Sequence, residues 1–343
     1  MFCNTRSPLR RRETGEIILL SQQEVQVAMT SAQMDIVFTW VDDRFDGYAD
    51  TMQGYMDDVR DTNPNRTRDN LDLLKYALRS VEENLPEFRR VYLLSCRPQV
   101  PDWMRQDHPD LRLVHHDEIM DPAILPTYNS FAIVSHLHLL PDLSETFLYL
   151  EDDMLIRRRG LLDALHRSGM PLSLFKAAKT RRLDELDTAK DSPWNLAMGT
   201  ANAALAREFA DRPRQYTIHG PRLFHKAAFA DMVERFSPEI TDTRASRFRS
   251  GTNVPSEYLY PHYAVEQGEA VAGTQAEAKA VGGYASLENF APWTWWQLQL
   301  LKWRDPFVAT LNDSFEHNPN PRVEKMVRNW LKTSFPVPSR FER

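Results

Sequence analysis

Three consecutive acidic side chains, Glu151, Asp152 and Asp153, follow an apolar run at residues 147–150. The run predicts a buried strand, so the carboxylates fall at its carboxyl end, where open α/β sheets place their ligands. Adjacent carboxylates repel one another unless a cation neutralises them, and Mg²⁺ or Mn²⁺ prefers such oxygen ligands while also holding substrate phosphates. We interpret the triplet as a metal–diphosphate site; the structural alternative is an acidic helix cap or a solvated turn.

Two other groups of oxygen-bearing side chains could join such a site. Asp42, Asp43 and Asp46 follow the apolar stretch that predicts the first strand, and Asn312 and Asp313 lie near the C-terminus. An Asn and an Asp could supply two further oxygen ligands to a divalent ion. Taken alone, each group is more typical of a turn, because Asp and Asn favour turns.

Histidine and arginine side chains elsewhere suit proton transfer and phosphate binding. His219 lies in a Thr-Ile-His-Gly-Pro segment, whereas His136 and His138 have a spacing that does not place them on one helix face. An imidazole can accept a proton from an attacking hydroxyl near neutral pH, although a single histidine is usually a packing residue. Arg249 could bind a diphosphate with two hydrogen bonds, and its structural alternative is a surface arginine.

The elements that must position these side chains alternate between strands and helices. Asp69 is expected to cap a helix that Pro86 ends. This alternation predicts an α/β fold with a largely parallel sheet flanked by helices. Buried strands are predicted at residues 36–38, 91–95, 111–114 and 147–150.

Later segments are predicted in less detail. Residues 176–191 are highly charged and lack periodicity, which indicates a surface loop or lid. A helix is predicted at residues 225–236, and another begins at Asn320 and Pro321. No element is assigned to residues 264–289.

Length and composition limit the classes of protein to consider. The 343 residues are predicted to comprise a flexible leader (1–33) and a single catalytic α/β domain (34–343) with a helical C-terminal extension from about residue 290. The net charge of -6 disfavours nucleic acid as a partner. Two cysteines argue against a disulfide framework, and no stretch is apolar for long enough to span a membrane. We predict a cytoplasmic enzyme, with peripheral attachment to a membrane and oligomerisation left open.

Four blocks carry a resemblance to a known family. They are DIVFTWVDD (residues 35–43), RDNLDLLKYALRSVEENLPEFRRVYLLS (68–95), LPTYNSFAIVSHLH (125–138) and FLYLEDDMLI (147–156). In this order they resemble the Stealth family, which contains bacterial capsular polysaccharide hexose-1-phosphate transferases. The catalytic subunit of the N-acetylglucosamine-1-phosphotransferase that modifies lysosomal enzymes is similar across the same blocks. The resemblance implies a nucleotide-sugar-binding fold, GT-A-like or Rossmann-like, and a bound Mg²⁺ or Mn²⁺ ion.

The resemblance also implies roles for individual residues. The sequence departs from the family at Asp43, where the family usually has Gly, so the first loop is expected to differ locally. The implied catalytic residues are Asp153, His219 and Arg249. The implied residues for binding substrate and nucleotide are Trp40, Asp42, Arg68, Asn70, Asn129, Ser130 and His136. The implied metal ligands are Asp152, Asp153, Asn312 and Asp313.

The expected reaction moves a sugar-1-phosphate, such as N-acetylglucosamine-1-phosphate from UDP-N-acetylglucosamine, to a hydroxyl of an oligo- or polysaccharide. It releases a nucleoside monophosphate. An ordinary metal-dependent glycosyltransferase using the same donor is the closest alternative, and it would release a nucleoside diphosphate. A metal-dependent phosphate-ester hydrolase would turn over with water alone. A glycan-binding module is favoured by Trp293, Trp295, Trp296 and Trp303, which are interpreted instead as a core or interface stripe.

Overall fold

The computed structural model describes residues 9–11, 17–19, 34–56, 69, 71–315 and 318–343. The described part of the predicted leader forms two antiparallel strands, Leu9–Arg11 (β1) and Ile17–Leu19 (β2), which the prediction did not include. The rest of the predicted leader lies outside the described residues. So do Arg68 and Asn70, two of the implied binding residues.

A five-stranded sheet lies at the centre of the fold, in the order β12-β6-β3-β4-β5. Strands β6, β3, β4 and β5 are parallel, and β12 pairs antiparallel with β6 at one edge. All four predicted strands are present, and three extend one or two residues beyond the predicted apolar runs. The strands are Asp35–Thr39 (β3), Val91–Ser95 (β4), Leu111–His115 (β5), Thr146–Glu151 (β6) and Arg222–His225 (β12).

Smaller sheets surround this one. Strand β14 pairs parallel with β15, which pairs antiparallel with β7; β10 pairs with β11, and β9 lies between β8 and β13. Strand β7 follows directly on the acidic triplet, so the β14-β15-β7 sheet lies next to the end of β6. These strands are Met154–Ile156 (β7), His166–Arg167 (β8), Met170–Ser173 (β9), Phe175–Lys179 (β10), Gln215–Thr217 (β11), Val271–Ala272 (β13), Gly282–Leu287 (β14) and Val308–Asp313 (β15).

Helices connect and cover the sheets. Short 3₁₀ turns occur at Pro122–Ile124, Leu137–Leu139 and Leu183–Glu185. The α-helices are Tyr48–Gln53 (α1), Leu73–Asn84 (α2), His116–Ile119 (α3), Ser130–Val134 (α4), Leu161–Ala164 (α5), Pro193–Glu208 (α6), Lys226–Arg235 (α7), Ser237–Ala245 (α8), Ser256–Gln267 (α9), Gln275–Val281 (α10), Ala291–Arg304 (α11) and Pro321–Ser334 (α12).

Local signals explain where two of these helices begin. The carboxylate of Asp69 accepts a hydrogen bond from the backbone N–H of Leu73 at 2.8 Å, so Asp69 caps α2 from four residues upstream. Asn320 caps α12 by accepting from the N–H of Arg322 at 3.0 Å, with Pro321 at the first helical position. Both starts were predicted, because short polar side chains before an apolar periodic segment satisfy the free N–H groups of a first turn.

The central sheet is covered on both faces. Phe38 and Leu150 pack into one hydrophobic core, whereas Val37 and Tyr149 pack into a second core on the other side. Side chains alternate along a strand, so a strand buried on both faces is apolar at nearly every position. This confirms the predicted α/β fold with a largely parallel sheet flanked by helices.

Three segments differ from their predictions or were left unassigned. Residues 176–191 are not entirely a loop, because the start of the segment lies in β10 and pairs with β11. Residues 264–289, to which no element was assigned, contain the end of α9, then β13, α10 and β14. The tryptophans of α11 do not form a core stripe, because all four are exposed. Among the described helices, none has the length and apolar character needed to cross a bilayer.

Candidate active site

A cleft of about 490 Å³ opens where the carboxyl ends of β6 and β15 meet. Parallel pairing of β3 and β6 sets Thr39 beside Glu151, so both strands end at this edge. The acidic side chains that line the cleft are Asp69, Glu151, Asp152, Asp153, Glu257 and Asp313. The basic or imidazole side chains that line it are Lys176, His219, Arg222 and Arg249.

Glu151, Asp153 and His219 form a compact cluster within the cleft. The Nε2 atom of His219 lies 3.0 Å from Glu151 Oε2 and 4.0 Å from Asp153 Oδ2. One potential ligand atom from each of the three residues lies within 4.8 Å of the others. Asp153 Oδ1 is buried and has no hydrogen-bond partner among the described residues. Two carboxylates and one imidazole therefore converge on a point where one carboxylate oxygen is unsatisfied.

Backbone contacts hold His219 in place between β11 and β12. The hydroxyl of Thr310, on β15, donates to the carbonyl oxygen of His219 at 3.1 Å. Strand β12 then pairs with β6 so that Arg222 lies opposite Tyr149, two residues before Glu151. The short Gly-Pro link between His219 and Arg222 thus sets an imidazole and a guanidinium beside the same carboxylate.

Burial and charge act against each other in this cluster. Burial lowers the pKa of His219, but the nearby carboxylates of Glu151 and Asp153 outweigh it, and the pKa is raised overall. Burial raises the pKa of Glu151, but His219 and Arg222 outweigh it, and that pKa is lowered. Burial raises the pKa of Asp153 despite the opposing effect of His219. Burial, followed by the charge of Asp153, also raises the pKa of Asp152 far above its ordinary value.

Two arginines of the cleft supply positive charge. Arg222 donates from Nη1 to Glu151 Oε1 at 3.2 Å and from Nε to the backbone oxygen of Glu257 at 3.3 Å. Arg249 donates from Nε to the hydroxyl of Ser130 at 3.1 Å, and its guanidinium lies 4.7 Å from the ring centre of Phe131. Ser130 therefore positions Arg249 and does not itself line the cleft.

Asp69, Asn312 and Asp313, which also line the cleft, have local partners. Asp69 accepts from the indole N–H of Trp40 at 3.1 Å, and burial raises the pKa of Asp69 to about 6. Asn312 donates to the hydroxyl of Ser314 at 3.0 Å, and Asp313 accepts from the backbone N–H of Phe315 at 2.8 Å. Asn312 and Asp313 thus lie at the cleft as the sequence predicts. Trp40 supports the cleft wall from behind.

Three predicted binding residues point elsewhere. Asp42 is buried in an ion pair with Arg44 at 2.6 Å, and the neighbouring backbone is held by Gln99. Asn129 is fully buried, caps α4, and donates to Asn253 at 2.9 Å. The ring of His136 is buried, so its pKa is lowered to about 4, and its Nδ1 lies 2.8 Å from the carbonyl oxygen of Ala132. The structure therefore gives Asp42, Asn129 and the Nδ1 atom of His136 internal partners, and none of the three residues lines the cleft.

Several residues of the cleft were not selected from the sequence. Glu151 was recognised within the acidic triplet but was not assigned as a ligand. The sequence only weakly indicates a role for Arg222, which lies three residues after His219 in a segment that could form a strand of the same sheet. Glu257, whose Oε2 is buried without a hydrogen-bond partner in the described part of the chain, carries none. Lys176 was assigned to a surface loop, yet it lines the cleft from β10.

Comparisons with known proteins agree with this arrangement. Residues 66–168 match the model of Stealth protein CR2, conserved region 2, and residues 218–266 match Stealth protein CR3, conserved region 3. The first region contains the acidic triplet, and the second contains His219, Arg222 and Arg249. The two matched regions therefore supply the acidic triplet, the histidine and both arginines of the cleft.

Curated relatives align along 90% of this chain. An exopolysaccharide phosphotransferase of Streptomyces coelicolor is 33% identical over 317 residues, which are 52% of its length. The exopolysaccharide phosphotransferase CpsY of Mycobacterium leprae is 33% identical, with 57% of its length covered. The capsular polysaccharide phosphotransferase SacB of Neisseria meningitidis serogroup A is 28% identical, also with 57% covered. The chain thus spans somewhat more than half the length of these relatives.

The chain also aligns with a solved structure of the galactosyltransferase LgtC in complex with donor and acceptor sugar analogues. The alignment covers 90% of this chain and 98% of the LgtC chain, with a TM-score of 0.43 and 12% sequence identity. The chain is similar to Stealth proteins in both conserved regions, which follow one another along the sequence and contribute side chains to one cleft.

Proposed function

We propose that this chain transfers a sugar-1-phosphate from a nucleotide-sugar to a hydroxyl of an oligo- or polysaccharide, as a step in building a capsular or other cell-surface polymer. The observation that carries the proposal is the pairing, in one cleft, of the Glu151, Asp153 and His219 cluster with two partly buried arginines. A cleft of this kind suits a diphosphate, because carboxylates can share a cation with it while guanidinium groups bind its free oxygens. The names of the curated relatives support the same chemistry.

The cluster fits a divalent ion such as Mg²⁺ or Mn²⁺. Asp153 Oδ1 is a buried oxygen without a partner among the described residues, and such an atom is costly unless a ligand satisfies it. Glu151 and Asp153 would hold the ion, and Asp152, Asn312 and Asp313 line the same cleft. When bound, the ion would neutralise charge on the diphosphate and polarise the reacting phosphorus as a Lewis acid.

Arg249 and Arg222 would bind and orient the donor. Arg249 is fixed by Ser130 and Phe131, so its guanidinium loses little freedom when it binds phosphate oxygens. Arg222 is held by Glu151 and by backbone oxygens, which keeps a second positive charge beside the first. Both charges lie in a partly enclosed cleft, where they act more strongly than they would in water.

His219 would accept the proton of the acceptor hydroxyl. Its Nε2 faces Glu151 and Asp153, which orient the ring and raise its pKa, so Nδ1 remains as the proton acceptor. The acceptor oxygen forms a bond to the sugar-linked phosphorus. The bond from that phosphorus to the bridging oxygen breaks, and this oxygen leaves with the nucleoside monophosphate.

The proposal extends to organisation and location. We propose that the residues from 34 onward act as one catalytic unit, since side chains from β6, β15 and the segment before β12 share the cleft. We also propose that it acts in the cytoplasm, in keeping with a free Cys96 among the described residues.

Product analysis tests the reaction. The full chain is incubated with a panel of nucleotide-sugars and Mg²⁺, with and without capsule oligosaccharides, and the nucleotide and glycan products are identified by mass spectrometry. Acceptor-dependent release of a nucleoside monophosphate, with a phosphodiester-linked sugar in the glycan, is the expected result. Release of a nucleoside diphosphate would show glycosyl transfer instead, and turnover with water alone would show hydrolysis.

A matched pair of variants tests the assigned base. His219→Gln should lose at least about 100-fold in turnover, the usual contribution of general acid–base catalysis. His225→Gln lies six residues along the chain, is exposed, and does not line the cleft, so it should retain activity. Equal activity of the two variants would remove His219 from the mechanism.

A further inference from the structure

Helix α11 exposes an unusual number of large aromatic side chains. Trp295 and Trp296 are each 52% exposed and Trp303 is 80% exposed, and Phe290 just before the helix is 67% exposed. The opposite side of the helix is already buried, through Thr294, Leu298 and Leu301. A helix that is apolar on both sides has an outer face that another surface is expected to cover.

The C-terminal end of the same helix is basic. Lys302 and Arg304 are exposed, and α11 contains no acidic residue. Arg157 donates to the carbonyl oxygen of Leu301 at 2.5 Å, so its guanidinium contacts the same end of the helix. Asp305 lies 3.4 Å from Arg157 and forms an ion pair with it at this helix end. A positive patch therefore adjoins the aromatic side chains, although the whole chain has a net charge of -6.

Arg158, an exposed arginine, also lies near this end of the helix. Arg158 stacks on the ring of Phe307 at 3.9 Å, which fixes its guanidinium at the surface. We name the combined surface the aromatic–basic face. It consists of Phe290, Trp293, Trp295, Trp296, Trp303, Lys302, Arg304, Arg158 and Arg159.

This face lies on the other side of the β14-β15-β7 sheet from the active-site cleft. A Cβ atom built on Gly283 would meet Leu301 and Pro306, so that side of β14 faces α11. The next residue, Tyr284, points the opposite way and lines the cleft, with its ring centre 5.9 Å from that of His219. The aromatic–basic face is therefore not an extension of the substrate cleft, which disfavours a role in stacking the reacting sugar.

We propose that the aromatic–basic face docks on the surface of an anionic lipid bilayer. Tryptophan is enriched at the level of lipid headgroups, where its ring is partly apolar and its N–H remains hydrated. Lysine and arginine beside it attract anionic lipids, and interfacial helices combine these two features. The 14 residues of α11 would lie along the membrane plane over about 20 Å. The cleft, across the sheet from this face, would remain open to nucleotide-sugar and glycan.

Vesicle co-sedimentation tests the proposal with the full chain. Vesicles of pure phosphatidylcholine are compared with vesicles that also contain phosphatidylglycerol, at low and high salt. The chain should bind the anionic vesicles, and binding should weaken with salt because the lipid attraction is screened. The double variant Lys302→Gln/Arg304→Gln should bind about 25-fold more weakly, or about fivefold for each cation removed.

Variants of the aromatic residues complete the experiment. Trp296→Ser/Trp303→Ser should also lose vesicle binding, whereas turnover with soluble substrates should not change. Leu139→Ser is the matched control, because Leu139 is 47% exposed but lies in the 3₁₀ turn Leu137–Leu139, outside the aromatic–basic face. This control should bind vesicles as well as the unchanged chain does.

Three outcomes would overturn the proposal. The first is that the unchanged chain fails to bind anionic vesicles, and the second is that it binds them equally well after either double substitution. The third is that the unchanged chain fails to bind vesicles and forms a dimer in sedimentation velocity, and that the tryptophan variant is a monomer. The face would then join two copies of the chain. None of these results bears on the proposed transfer reaction, which is measured separately with soluble substrates.

Discussion

Replacing Asp153 with Asn removes one negative charge from the cleft while nearly preserving the shape of the side chain. In the structure this carboxylate is buried beside Glu151, and its Oδ1 atom has no partner among the described residues. An unsatisfied buried polar group costs about 1–3 kcal/mol, and more when it is charged. Without metal, the free energy of unfolding of Asp153→Asn should therefore be about 1–3 kcal/mol higher than that of the unchanged protein, so the variant should be the more stable of the two.

A bound ion should reverse this order. A ligand at 100 times its Kd stabilises the folded state by about 2.7 kcal/mol. An unfolding entropy of about 2.1 cal/mol/K per residue amounts to about 0.7 kcal/mol/K for 343 residues, so this gain raises the Tm by about 4 °C. The unchanged protein should show that increase with Mn²⁺, and Asp153→Asn should show almost none. In EDTA, Asp153→Asn should melt about 1–4 °C above the unchanged protein.

Thermal unfolding at about pH 8.5, where Asp153 is ionised despite its raised pKa, measures both effects. Asp102→Asn is a suitable control, since Asp102 is exposed and does not line the cleft. The reasoning is refuted if Asp153→Asn is less stable than the unchanged protein in EDTA, or if both proteins gain equally from Mn²⁺. Either result would place the ion, or the cost of the buried charge, elsewhere.

Three further predictions follow from contacts in and around the cleft. Arg249→Lys should lower kcat/KM by about 100-fold, because a lysine cannot keep both the Ser130 contact and a two-point phosphate contact. Arg247 lies outside the cleft, so Arg247→Lys should change kcat/KM by less than about threefold. Steady-state kinetics of the two variants provide the comparison. The pKa of Asp69 is raised by burial from 3.8 to about 6, so its contribution to stability is complete below the lower value and is lost as pH rises through the higher one. Urea unfolding should show that, as pH rises across this range, the free energy of unfolding falls by up to about 3 kcal/mol less in Asp69→Asn than in the unchanged protein. The same dependence on pH in both proteins would contradict the assignment. The pKa of His136 is lowered by burial from 6.5 to about 4, so the stability it contributes is present above the higher value and lost as pH falls. Between about pH 7 and pH 5, His136→Gln should lose about 2 kcal/mol less than the unchanged protein, and a donor KM changed more than about tenfold would instead support a substrate role for His136.

Much of the architecture could be predicted from local patterns. The four strands of the parallel sheet are buried on both faces, so each appears as an uninterrupted apolar run, and their positions in the structure agree closely with the prediction. The starts of α2 and α12 were equally clear, because Asp69 and Asn320 satisfy N–H groups only a few residues away. The acidic triplet was recognised for the same reason, since its position at the end of β6 depends only on the residues just before it.

Other features depended on which segments meet across the sheet. The proposed ligand role of Glu151 depends on the approach of His219, 68 positions along the chain, and no local pattern encodes that distance of 3.0 Å. The sequence likewise left open whether the α11 tryptophans form a core or an interface stripe, because an aromatic helix has the same pattern whether its outer face is covered or exposed.

The sequence by itself determined the strands, the α/β class, the family resemblance and the acidic end of β6, because each depends on residues that are close along the chain. Only the tertiary structure decided that Asp42, Asn129 and His136 are occupied by internal partners while Glu151, Arg222 and Glu257 face the cleft. The physical reason is that a polar side chain is directed by the partners within its reach, and the register of β12 on β6 and the packing of α9 set those partners across long separations in sequence.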